Sequence, residues 1–114
     1  MTEIQIKEPV ASTKSSFVKF ASRKTIDFPI VNCAAMVTKS GSKVSHARIC
    51  FNAVYVTLYC AAKAEESIKG KTINETTTKA AGVAVASDAN PLRHNRYMVQ
   101  IARTLVERSV LACR

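Results

Sequence analysis

From residue 30 to 38, and again from 44 to 57, the chain reads with a period near two, that of an extended strand with one well-buried face. In the first run Val31, Cys33, Ala35 and Val37 fall on one face and Asn32, Ala34 and Met36 on the other, as far as Thr38. Ser40-Gly41-Ser42-Lys43 supplies a turn, and the alternation resumes from Val44 to Thr57. There Ala47, Ile49, Phe51, Ala53 and Tyr55 share a face, joined by Ser45, while His46, Arg48 and Asn52 point away. Two such runs joined by a short glycine turn predict a β-hairpin.

Beyond Thr57 the period changes. Tyr59 to Lys69 mixes Ala61, Ala62, Ala64, Glu65, Glu66 and Ile68, which favour a helix, and Gly70 stands where a helix C-terminal glycine belongs. Asn74 can cap the next helix, with Glu75 in its first turn. Small residues from Lys79 to Ala86 let that helix approach a neighbour closely despite Gly82, and Asp88-Ala89-Asn90-Pro91 ends it. A last helix from Asn95 to Ala112 carries Met98, Ile101, Leu105 and Ser109 on one face, with Arg96, Arg103 and Glu107 away from it. Residues 1–14, polar and containing Pro9 and Ser12-Thr13, read as a flexible leader or linker remnant, leaving 15–114 as the domain. Strands followed by helices predict an α+β fold: a small antiparallel sheet of three to four strands with about three helices packed on one face.

A chain of 114 residues has room for one modest core. No window approaches the roughly 18 apolar residues of a membrane span, and the N-terminus lacks the apolar stretch of a secretory signal, so a soluble cytoplasmic protein is expected. Cys33, Cys50, Cys60 and Cys113 contain no CxxC pair and no histidines at finger-like spacing, which favours buried, reduced thiols over metal ligands or disulfides. The charge is +9 overall and unevenly placed. Residues 15–48 sum to +5 and residues 89–114 to +4, whereas 1–14 and 49–88 are neutral. Brought together, the two basic segments make a face that attracts phosphates or acidic surfaces; kept apart, they are ordinary solvated charge.

Few residues look catalytic. His46 and His94 have no Ser, Cys or carboxylate at a spacing that suggests a catalytic unit. With only Gly41, Gly70 and Gly82, the chain has neither a GxGxxG nor a P-loop, so it cannot build the usual phosphate-cradling turn alone. Its aromatics, Phe17, Phe20, Phe28, Phe51, Tyr55, Tyr59 and Tyr97, form no RNP-like pattern, which makes nucleic-acid binding an unfavoured reading.

The residues from Lys19 to Ala34 stand apart, because Lys19, Arg23, Lys24 and Asp27 cluster beside Phe28 just before an apolar strand. Such a group suits something anionic and flat. The stretch Phe17-x-Lys19-Phe20-x-Ser22-Arg23-Lys24-x-x-Asp27-Phe28-Pro29-x-Val31, the segment from Ala47-Arg48-Ile49 through Glu65-Glu66 to Ile68-Lys69-Gly70-Lys71, and Asp88-Ala89 with Tyr97 and the helix ARTLVERSV over 102–110 occur in one order. Together they resemble the C-terminal domain of the FAD-binding (medium) subunit of molybdenum hydroxylases, the xanthine dehydrogenase and carbon monoxide dehydrogenase flavoprotein family. The resemblance covers about residues 17–112. It departs where family members usually carry glycine at Asn52, Pro-Thr-Pro at Val56-Thr57-Leu58 and arginine at Cys60.

What the resemblance implies is specific. The chain is expected to be a detached or separately encoded domain of an oxidoreductase complex, non-catalytic alone, that completes a flavin pocket and docks its subunit. FAD is expected only in the assembled subunit, with Lys19, Asp27 and Phe28 at the loop that closes over the isoalloxazine ring. Partners are then the flavin-binding N-terminal portion and the iron–sulfur and molybdenum subunits; in isolation the chain could pair as a homodimer. Read from the residues alone, Lys19 is equally a solvated strand-edge charge and Phe28 a core residue. The alternative function is a stand-alone basic interaction module that binds an acidic protein or nucleic acid.

Overall fold

The structure is a computed structural model that describes residues 2–24 and 26–114. Four strands, β1 (Thr13–Phe20), β2 (Val31–Ser40), β3 (Lys43–Asn52) and β4 (Tyr59–Cys60), precede α1 (Ala62–Ile68), α2 (Glu75–Asp88) and α3 (Arg96–Ala112). The strands form one antiparallel sheet in the order β1-β2-β3-β4. α3 packs on β1 and β2, α1 packs on β3, and α2 lies against α1 and α3. The α+β arrangement expected from the sequence is therefore present, with the helices on one face.

The alternation of β2 works as expected: Val31, Cys33, Ala35 and Val37 are buried. In β3 the buried residues are Val44, Ala47, Ile49 and Phe51, which are not evenly spaced. A register shift after Thr38 explains this, because Thr38 pairs with His46 and Lys39 with Val44, so Ser45 is an extra residue. The bulge switches the phase of the pleat, which turns both Val44 and Ala47 inward and leaves Ser45 exposed. Ser45 thus does not join the core face; its hydroxyl donates to the Thr38 carbonyl at 3.0 Å. Between β2 and β3, Gly41 takes φ 63° at the first central position of the turn, where a side chain is disfavoured.

β3 also stops earlier than the pattern suggested. Ala53 adopts φ 67° and breaks the extended run, so Tyr55 is exposed and lies off the core face. The chain returns only as the two residues of β4, and α1 begins at Ala62 rather than Tyr59. There the Ala61 N–H donates to the Ile49 carbonyl, and the Ile49 N–H finds the Glu65 carboxylate at 2.9 Å. A helical side chain thereby finishes the ladder that the strand leaves incomplete. Asp88 fixes the same corner, accepting from the Tyr59 hydroxyl at 3.0 Å and from the Lys63 ammonium.

At the other edge, β1 takes in Thr13 and Lys14, two residues ahead of the expected domain start, and is a strand that the pattern did not announce. Its inward positions include polar Ser16, whose hydroxyl donates to the Ser109 carbonyl of α3 at 2.7 Å. Apolar periodicity is therefore weak along it. Asn74 caps α2 as expected, its Oδ1 accepting from the Thr77 N–H at 2.8 Å. The buried stripe of α3 comprises Ala102, Leu105, Val106, Ser109 and Val110, flanked by half-buried Met98 and Ile101.

Two backbone positions yield measurable expectations. A Cβ on Gly82 meets Glu107 Oε1 at 2.7 Å and Arg103 Cγ at 3.0 Å, so glycine sets the separation of α2 and α3. Gly82→Leu should cost about 1–3 kcal/mol by overpacking, read as a lower urea midpoint at unchanged slope. Ala53→Gly should relieve a left-handed alanine and stabilise by about 1 kcal/mol, a rise of roughly 4–8 °C in the thermal midpoint.

Candidate functional site

The loop between β1 and β2 is built around one carboxylate. Arg23 donates to Asp27 Oδ2 at 2.6 Å, the Phe28 N–H donates to Asp27 Oδ1 at 2.9 Å, and the Lys19 ammonium donates to the Asp27 backbone carbonyl. At the loop's base the Ile30 N–H donates to the Phe20 carbonyl at 2.8 Å and continues the ladder into β2. The Arg23 guanidinium, then the Phe28 N–H and the Lys19 charge, hold the Asp27 carboxyl below its ordinary range. Thr25, within this loop, lies outside the described residues.

The structure thus brings Lys19 and Asp27 together and sets Phe28 beside them. Lys19 belongs to β1 rather than to the loop, on the face away from the helices and in register with Asn32, which pairs with Asn52. Phe28 is 92 % exposed, so it is not a core residue, and neighbouring Ile26 is fully exposed. Arg23 is the member of the cluster that the expected site residues omitted. Its spacing of four from Asp27 was the available signal, since one helical or turn-like wind suffices to bring such a pair into contact.

Chemically, the loop presents the exposed Phe28 ring next to Asp27, which Arg23 holds by its carboxylate and Lys19 by its backbone carbonyl. That arrangement can cover one side of a flat, electron-rich group and favour negative charge on it. It is one wall and not an enclosure. A cleft of about 510 Å³ does exist elsewhere, where Phe51, Tyr59, Asp88, Asn95 and Met98 meet. No described cluster of three or more His, Cys, Asp or Glu residues could hold a metal. His46 lies exposed on the outer sheet face and His94 is exposed before α3. Among the described residues no helix is long and apolar enough to cross a membrane.

Residues 16–113 match the CO dehydrogenase flavoprotein C-terminal domain. The chain belongs to that family. Its fold superposes on carbon monoxide dehydrogenase from Hydrogenophaga pseudoflava, in a form lacking the Mo-pyranopterin moiety of the molybdenum cofactor, with a TM-score of 0.80 and 31% identity. That match covers 91% of this chain and 37% of the other. Quinoline 2-oxidoreductase from Pseudomonas putida 86 gives a TM-score of 0.78 at 25% identity, covering 92% of this chain and 38% of the other. Reconstituted CO dehydrogenase from Oligotropha carboxidovorans shares the fold, with a TM-score of 0.79 at 21% identity and coverage of 92% and 38%. This flavoprotein C-terminal domain thus spans under two fifths of the chains it matches. No curated protein matches significantly by sequence.

Because Asp27 is held low, the ionised carboxylate orders the loop above the ordinary carboxylate range, and that order is lost as pH falls through the lowered value. An NMR titration of the Phe28 amide should therefore show its midpoint below that range. In Asp27→Asn the pH-dependent shift should vanish.

Proposed function

We propose that this chain is the part of a molybdenum-hydroxylase FAD subunit that closes one side of the flavin pocket and docks the subunit in its complex. The observation that carries this reading is the exposed Phe28 ring, held out on a loop whose backbone is tied down by Asp27, Arg23 and Lys19. An aromatic side chain left in water forgoes about 2 kcal/mol of burial, and a braced loop leaves it little freedom to fold back. It is arranged to be covered by something.

In the assembled subunit FAD supplies the electron-carrying chemistry. In this chain Phe28 covers a ring face, Lys19 favours negative charge on the ring, and Asp27 holds both in place. The phosphates fall to the flavin-binding N-terminal portion, since this chain has no glycine-rich cradle. The further partners implied by the family resemblance are iron–sulfur and molybdenum subunits, and a molybdenum cofactor is named for the Hydrogenophaga pseudoflava enzyme.

The test is made on the complex purified from its native host. A yellow flavin spectrum and molybdenum-bearing partners that travel with this chain are expected. In that assembly Phe28→Ala should weaken FAD binding about tenfold, measured by flavin fluorescence on dilution, while leaving the thermal midpoint of this domain unchanged. Lys19→Ala should lower the potential of the flavin more than its affinity. A colourless monomer or homodimer without partners, or full flavin retention with unaltered spectra in both variants, would refute the assignment.

A further inference from the structure

Two of the four cysteines do not behave as core residues. Cys33 and Cys113 are buried, but Cys50 is half-buried and Cys60 exposed, which corrects the expectation of four buried thiols. The reason is the pleat: Cys50 is flanked in β3 by the inward Ile49 and Phe51, so it faces the outer side of the sheet. Cys60 is its direct partner across the β3–β4 ladder, and the two Sγ atoms lie 3.1 Å apart.

The register makes this more than proximity. Ala61 donates its N–H to the Ile49 carbonyl, and the Ile49 N–H points the same way, to Glu65, so the backbone bonds of position 49 face β4 and those of Cys50 do not. The next pair along, Cys50 and Cys60, is then of the non-hydrogen-bonded kind, in which Cα atoms approach to about 4.5 Å and side chains come closest. A separation of that size falls within the span that a disulfide bridges, about 4.4–6.8 Å between Cα atoms. Both sulfurs are already on the same face and in contact.

We propose that Cys50 and Cys60 are a redox-active dithiol that closes to a cross-strand disulfide when it meets a hydroperoxide. Cys60, the exposed thiol, gives up its proton and attacks one oxygen of hydrogen peroxide as the thiolate; the O–O bond breaks, hydroxide leaves and takes up that proton as water, and Cys60 becomes a sulfenic acid. Cys50 then attacks the Cys60 sulfur, the S–O bond breaks, and the S–S bond forms with loss of water. Two thiols give up two electrons and two protons, and the peroxide is reduced to two waters. Burial and then the adjoining Cys60 sulfur push the Cys50 thiol up to about 11, which keeps it protonated and out of the first step; its part in the second rests on the 3.1 Å contact with the Cys60 sulfur. A small dithiol reverses the bond.

Closure has a structural consequence. β4 is held to β3 by only two residue pairs, and the segment between the cysteines includes Ala53 at φ 67° and the exposed Tyr55, Val56 and Leu58. A bond from Cys50 to Cys60 pins that segment at both ends. Val54, Tyr55 and Tyr59, which line the 510 Å³ cleft, are fixed with it.

The proposal stands apart from the flavin assignment and is tested on the full chain with a slight excess of peroxide. The tryptic peptide 49–63 contains both cysteines and no internal cleavage site. It should appear about 2 Da light and refuse alkylation, with both effects reversed by dithiothreitol. The thermal midpoint should rise by roughly 10 °C on oxidation. Cys50→Ser and Cys60→Ser should each abolish the mass loss, whereas Cys33→Ala should keep it. Stable oxygen adducts on Cys60, a link between Cys33 and Cys113, or a disulfide dimer of twice the mass would each overturn the proposal.

Discussion

Everything in this domain hangs on the one-sided burial of the β2–β3 hairpin. Val31, Cys33, Ala35 and Val37 from one strand and Val44, Ala47, Ile49 and Phe51 from the other leave water together. None of this face can be satisfied by the sheet itself, so α1 and α3 must lie across it, and α2 closes the layer by packing on both. The bulge at Ser45 is part of the same constraint. Without the extra residue, Val44 would point to solvent and the start of β3 would lose its hold on the segment after α1, where Val44 exchanges hydrogen bonds with Gly70 and Lys71.

Once the hairpin has claimed the helices, the sheet's edges are left with little to bury. β1 is tied on by strand pairing and by hydroxyls such as Ser16, and β4 by a short ladder finished by Glu65. Both edges are where candidate chemistry sits. The loop leaving β1 carries Lys19, Asp27 and Phe28, and β4 carries Cys60 against Cys50. A rigid layer with apolar and reactive groups at its margins is what a domain needs if it is to complete a site formed partly by other protein.

The two fates of aromatic residues show why pattern alone could not separate core from site. Phe51 and Phe28 are chemically identical and both lie in or next to strand-like runs, yet Phe51 is buried and Phe28 almost wholly exposed. Phe51 is fixed by alternation with Ile49 and Ala47. Phe28 lies where Asp27 ties the backbone into a turn, and no periodic neighbour specifies its direction. Cysteine spacing was equally silent: Cys50 and Cys60 are ten positions apart, and only the return of β4 at that register makes them touch.

The sequence by itself determined that two strands pair as a hairpin about the Gly41 turn, the cap at Asn74, the C-terminal helix and the family. The first three rest on local periodicity and on side chains that bond to their own backbone within a few residues, and the family on the resemblance of short stretches kept in order. The tertiary structure alone decided that Thr13 to Phe20 forms a strand, that Ser45 bulges, that Ala53 ends β3, and that two thiols meet on the outer face. Each of those depends on a partner distant in the chain. An edge strand is ordered by the neighbour that accepts its hydrogen bonds, and a contact across a ladder by a register that no single strand encodes.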